Sequence, residues 1–243
     1  MSLAFMSSVF INPISIKSLL FNIEWHALLR YSRVKKLTVL TCAAVLTAVA
    51  TPATADVLGA KVGVDYVYSD LDVNGFSAVN EQDNYHAYAA FEHFLPLLPN
   101  ALVEYATHGS SSVGFHQFSA TGYYELLDNS LLSLDLGAGY SRYSDIQVGS
   151  DVSSQGSPHA YVAAEVLLPV TNLSVFADAK VFGLQDVEGE EVRAGVRWAL
   201  ELPVELGVRA GYTMSNVTFD NALANNDLKF ESDGWMLGLD ARF

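Results

Sequence analysis

From residue 56 to its last residue the chain alternates with period two. Counting back from Phe243, the odd positions are Ala241, Leu239, Leu237 and Trp235. The even positions between them are Arg242, Asp240, Gly238, Met236 and Gly234. One face is apolar and the other carries charge and glycine, as a strand with apolar surroundings on one side requires. The same pattern runs through Ala60, Val62, Val64, Tyr66 and Tyr68, through Val192–Leu200, and through Val204–Tyr212. A helix cannot produce it, because a helical apolar face recurs every three and four residues.

Ten segments read this way: 58–68, 84–94, 101–108, 115–126, 131–143, 159–168, 173–182, 190–200, 204–214 and 233–243. The expected fold is all-β, a transmembrane antiparallel up-and-down barrel of about ten strands, with eight as the alternative; both are even, as bacterial single-chain barrels require. Links 95–100, 127–130, 169–172 and 201–203 are short, and three contain Leu-Pro, which ends strands because proline has no N–H for the ladder. Links 69–83, 144–157 and 215–232 are long and rich in Asn, Asp, Ser and Gly, and are expected to be external loops. Links 109–114 and 183–189 are shorter but polar. Short turns at one end and long loops at the other place both termini in the periplasm. The outward aromatics then fall in two belts. Tyr66, Tyr68, Tyr85, Phe118, Tyr140, Tyr212 and Trp235 make the outer belt; Phe91, Tyr124, Trp198 and Phe243 make the inner one.

The first 55 residues read differently. Lys35-Lys36, the uncharged run Leu37–Ala50, Pro52 and Ala53-Thr54-Ala55 follow the order of a secretory leader cleaved between Ala55 and Asp56. The expected division is an extension over 1–33, with translation starting at Val34, a signal peptide over 34–55, and the barrel over 56–243. The single cysteine, Cys42, lies in the leader, so the exported chain forms no disulfide.

The chain has 243 residues, 51% of them hydrophobic, and a mean hydropathy of +0.23. No apolar run reaches the roughly 18 residues of a spanning helix. Eight of the 13 basic and 26 of the 27 acidic residues lie beyond residue 55, a net of −18 there. That balance speaks against nucleic acid, whose phosphates require a Lys/Arg surplus.

Several segments carry a resemblance. Asp56-Val57-Leu58-Gly59, Tyr88–Asn100, Tyr123–Asn129 and Leu167–Leu173 resemble a family of small outer-membrane β-barrel proteins of Gram-negative bacteria. The segment with Trp235, Leu237, Leu239, Ala241 and Phe243 resembles the C-terminal signal read by the barrel-assembly machinery. The resemblance implies export, outer-membrane destination and a single barrel; it implies no chemistry.

By parity the lumen receives Lys61, Asp65, Glu92, Glu104, Glu125, Asp135, Glu165, Asp178, Lys180, Glu191, Arg193, Arg197, Glu205, Arg209, Asp240 and Arg242. Acids and bases at one level pair and fill a narrow barrel, since unpaired buried charge is costly. The expected interior is therefore plugged by charged side chains. The alternative is a narrow path preferring cations. An enzymatic reading would draw on His86, His108, His116 or His159; His108 precedes Ser110, but a Ser–His pair needs contact and an orienting third group. The cluster Asp186, Glu188, Glu190 and Glu191 is expected in an external loop. With no CxxC, P-loop, GxGxxG or HExxH, no cofactor, metal site or catalytic residue is assigned. The expected protein is a non-enzymatic monomer whose partners are membrane lipid and lipopolysaccharide and, during biogenesis, the secretion and barrel-assembly machineries.

Overall fold

The structure, a computed structural model, describes residues 58–243 except 75, 96, 111, 149–150, 185, 201–203 and 224–225. The expectations for the extension, the leader and the Ala55–Asp56 junction lie outside the described residues.

Ten strands follow in order: β1 (Leu58–Val73), β2 (Phe76–His93), β3 (Asn100–Gly109), β4 (Val113–Asp128), β5 (Leu132–Val148), β6 (Asp151–Leu168), β7 (Leu173–Leu184), β8 (Val187–Leu200), β9 (Glu205–Leu223) and β10 (Asn226–Arg242). Each pairs antiparallel with its sequence neighbours, and β10 returns to β1 to close the barrel. The closing seam is long, from Lys61 opposite Arg242 to Val73 opposite Phe230. Closure gives every strand a neighbour on both sides, although the distal parts of β2 and β6 extend past the shorter β3 and β7. The end where β1 begins and β10 finishes is the terminal end; the opposite end is the distal end.

The long loops are corrected. Links 69–83, 144–157 and 215–232 are mostly strand: β1 pairs β2 out to Val73–Phe76, β5 pairs β6 to Val148–Asp151, and β9 pairs β10 to Leu223–Asn226. Asn74 turns the first hairpin at φ 52°, a left-handed conformation asparagine tolerates. In β5 a bulge at Asp145, also at φ 52°, shifts the register so that Ile146 still points inward.

The physical reason is an inversion of polarity along single strands. In β9, Leu206, Val208, Ala210, Tyr212 and Met214 are the outward residues. Three and five residues further on, the apolar ones are Val217 and Phe219, and they are fully buried inside. Between them Asn216 and Thr218 take the outward positions. In β10, Leu228 and Phe230 point in, whereas Trp235, Leu237 and Leu239 point out. In β1, Tyr66 and Tyr68 point out and Leu71 points in. The strands keep their faces; the polarity of each face changes. A search for apolar-outward alternation therefore loses these segments at the change.

All the expected belt aromatics face outward: Tyr66, Tyr68, Tyr85, Phe118, Tyr140 and Trp235 toward the distal side, Phe91, Tyr124, Trp198 and Phe243 toward the terminal side. Tyr212, half-buried, bonds Asp233 beside Trp235. Between the belts, outward positions among the described residues carry no charge. Directly beyond the distal belt the outward residues turn acidic: Asp70, Asp83, Asp233, Glu188 and Glu190.

Candidate functional site: the barrel interior

The interior has three levels. The distal level is apolar. Leu71, Phe115, Tyr143, Ile146, Phe182, Val187, Val217, Phe219, Leu228 and Phe230, from seven strands, form one buried cluster. Its rings pack edge to face: Phe115 lies 5.2 Å from Phe219, 5.3 Å from Phe230 and 5.7 Å from Tyr143. This geometry suits aromatic quadrupoles and packs the distal interior like a small soluble core. Sequence parity assigned charges to the lumen but did not anticipate this cap. Its signal was present in the inverted alternation of Val217, Phe219, Leu228 and Phe230.

The middle level is a polar and ionic layer. Glu104 of β3 accepts from Arg193 of β8 at 2.6 Å and pairs with Lys180 of β7 at 2.7 Å. Arg193 also binds Asp178 at 2.7 Å. His86 lies between Asp65, at 2.9 Å, and Glu104, at 3.2 Å, and touches Arg193. Arg209 meets Asp65 at 3.3 Å and lies over the ring of Phe176 at 4.4 Å. Just distal of these, the Gln117 amide donates to Glu191 at 3.1 Å, and Thr121 and Ser141 flank His159 at 2.8 and 3.0 Å. Charges removed from water persist only when paired and hydrogen-bonded in this way.

The terminal level holds further ion pairs around open space. Arg197 binds Asp240 and Glu205, both at 2.8 Å. Arg242 binds Glu165 at 2.8 Å and Asp240 at 3.3 Å. Lys61 binds Glu92 at 2.5 Å, and Glu92 also accepts from the Tyr123 hydroxyl at 2.8 Å. Gly207 makes room for this layer: a methyl group there would come within 2.6 Å of Arg197 Nε and collide with the Asp240 carboxylate. A cavity of about 500 Å³ opens at this end, and a chamber of about 120 Å³ lies deeper.

The structure brings the parity-assigned charges together in the interior. Lys61, Glu92, Glu104, Asp135, Glu165, Arg197, Glu205, Arg209, Asp240 and Arg242 line these spaces or pair within them, and Glu125 lines the terminal mouth. Of the eight bases beyond residue 55, only Arg142 and Lys229 are not in this network. Trp235, Leu237, Leu239 and Phe243 present their side chains outward, with Ala241 between them.

One expectation is corrected, and one candidate pair is not formed. The acidic cluster is not one loop group: Glu188 and Glu190 lie on the outer face of β8, while Glu191 points inward to Gln117 and Lys180. Ser110 and His108 do not pair. Ser110 Oγ serves its own turn, at 3.2 Å from Ser112 and 3.4 Å from the Val113 amide, whereas His108 stacks on Phe115 at 4.5 Å. His116 lies outside against Tyr105, 3.2 Å from its hydroxyl, and His93 serves the turn at Pro99. Among the described residues no group of His, Cys, Asp and Glu is arranged to hold a metal ion.

Neither a protein-family model nor a curated protein sequence matches the chain. Solved structures do. The chain is similar to Neisserial surface protein A at 16% identity, covering 76% of this chain and 97% of that one, with a TM-score of 0.38. It is similar to the outer membrane protease OmpT of Escherichia coli at 12% identity, 79% and 99% coverage and a TM-score of 0.43. Ail, the attachment invasion locus protein of Yersinia pestis, matches at 12% identity, 77% and 100% coverage and a TM-score of 0.29. Likeness at this level concerns the barrel alone.

Proposed function

We propose that the protein is an integral outer-membrane β-barrel with a closed lumen, acting without catalysis as a structural or surface-interaction protein. The polarity inversion along β1, β9 and β10 carries this reading. A soluble barrel is polar outside along its whole length. Here the outside is uncharged and apolar over one band, fringed by aromatics, then acidic beyond it, which fits a hydrocarbon layer followed by water. Inside, the ion pairs gather within the band and the apolar cap lies beyond it.

In this reading the termini and short turns face the periplasm, and the acidic distal hairpins face outside. Those hairpins, in place of long loops, would meet lipopolysaccharide or an external ligand. The leader would direct export, and the Trp235–Phe243 strand would be read by the barrel-assembly machinery. The belts would contact lipid, and the closed ladder suits a monomer. The apolar cap and the Glu104 network argue against the narrow cation path, because a route through the lumen would have to cross both.

Expression in a Gram-negative host tests the placement. The protein should sediment with outer membranes and resist carbonate extraction. A cysteine at Asp186 should react with an impermeant maleimide on intact cells, whereas one at Ser130 should react only after permeabilisation. Recovery in the soluble periplasmic fraction, or the opposite labelling, would overturn it.

A further inference from the structure

The ladder between β2 and β3 stops early. Its last pair is His86 with Ala106, although β2 begins at Phe76. Just past that pair the Tyr85 amide donates to the Thr107 hydroxyl at 2.9 Å, in place of a ladder carbonyl. β3 then ends at Gly109, where the chain turns at φ 87° and a methyl group would strike Leu71 of the cap. The tip of β3 thus leans in over the lumen. Among the described residues the β2 overhang has a ladder on the β1 side alone.

The matching overhang of β6 is covered. Its ladder with β7 stops at His159 and Phe182, but the Gln155 amide crosses to the Asp220 carbonyl of β9 at 2.7 Å. On β2 the register fixes what the edge offers. Pairing with β1 is regular from Tyr66–Tyr85 to Ser69–Gln82, so Asp83 repeats the setting of Tyr85. Its N–H and C=O point to the β3 side, and its side chain points outward. Such an edge is a template for another strand.

Charge selects the strand. From Asp70 to Asp83 the β1–β2 hairpin carries Asp70, Asp72, Glu81 and Asp83 and no Lys, Arg or His. The Tyr66 hydroxyl donates to the Asp83 carboxylate and holds it on the outer face. Opposite charges on neighbouring strands stabilise a pair, and like charges destabilise it. The same edge of a second copy would set acids beside acids. A strand with Lys or Arg at alternate positions would set bases there.

We propose that the β2 overhang docks an extended basic polypeptide segment as an added strand, bonded main chain to main chain at Asp83 and paired through a Lys or Arg with the Asp83 carboxylate. The proposal rests on the surface-interaction reading and gives it a partner of stated chemistry. Fractionation and labelling test that reading in cells, whereas docking is read in micelles, so the two failures are told apart.

Fluorescence anisotropy of a labelled octapeptide of alternating lysine and threonine, titrated with the full-length protein in detergent, tests it. Saturable one-to-one binding is expected. The same peptide N-methylated at every amide keeps its charge and should bind about tenfold more weakly, having lost its main-chain donors. Asp83→Pro removes an edge donor that β1 does not use and should weaken binding about tenfold. Asp83→Asn keeps the donor, removes the charge and should weaken binding about threefold. Glu188→Gln, on the outer face of β8, should leave it unchanged. Heat-modifiable gel mobility verifies folding of each variant, and the N-methyl comparison uses the wild type and so holds if Asp83→Pro does not fold. No saturable binding, equal binding of the N-methylated peptide, or a dimer of the protein that Asp83→Pro dissociates would each overturn the proposal.

Discussion

Glu104 and Arg193 stand on diametrically opposite strands and meet at 2.6 Å in the middle of the barrel. From β3 to β8 the sheet runs five strands in either direction. Both side chains are largely withdrawn from solvent, and each has a second opposite charge, Lys180 for Glu104 and Asp178 for Arg193. The contact makes the lumen a packed ionic layer and fixes two walls that share no hydrogen bond of the ladder.

Removing that carboxylate strands two cations. Glu104→Gln should lower the unfolding free energy by about 3 kcal/mol, within the range for breaking a buried pair. Asp178 and Glu191 remain as partial partners and keep the loss from being larger. Glu188→Gln on the outer face should change it by less than about 0.5 kcal/mol. Urea titration of the folded barrel in micelles measures both; equal effects would contradict the network's role.

The distal cap should behave as a hydrophobic core. Phe219 is completely buried and contacts Phe115, Tyr143 and Phe230. Phe219→Ala should cost about 3–5 kcal/mol, and Phe219→Leu clearly less. The same urea titration ranks them. A neutral Phe219→Ala would mean that the cluster is loose.

Gly207 should tolerate no side chain. A methyl group there meets the Arg197–Asp240 pair, which cannot retreat without giving up its contacts with Glu205 and Arg242. Gly207→Ala should be destabilising by about 1–3 kcal/mol through overpacking. Combined with Asp240→Ala, which removes the obstruction, its additional cost should shrink. A thermal-shift cycle over the four variants reads that coupling.

The outer band should reject charge. Leu237 points outward between Trp235 and Leu239. Leu237→Arg should cost about 2–4 kcal/mol if the band lies in hydrocarbon. Asp70→Arg, beyond the belt, should be tolerated. Comparing refolding yields into lipid vesicles separates the two.

Much of this fold was legible because one rule operated at a time. In Trp235–Phe243 the outer face is apolar and the inner face polar, so parity alone assigned Asp240 and Arg242 to the lumen. The same rule failed at Leu228 and Phe230. There the inside is apolar and the outside polar, and the combined string reads as an irregular polar loop. The charges at the site were legible by parity, but their partners were not. Glu104 is 89 residues from Arg193, and only the strand count and the tilt of the sheet bring them to one height. His86 and His159 were noticed as reactive types; their buried partners Asp65, Thr121 and Ser141 supply the structural role that sequence could not.

The central claim, that the barrel is closed by an apolar cap above an ionic layer, is tested most directly by single-channel recording. The full-length protein, shown to be folded by heat-modifiable mobility, is inserted into a planar bilayer under voltage. The account predicts electrical silence from the wild type. Steady open-channel steps from the wild type, altered by Glu104→Gln, would contradict it.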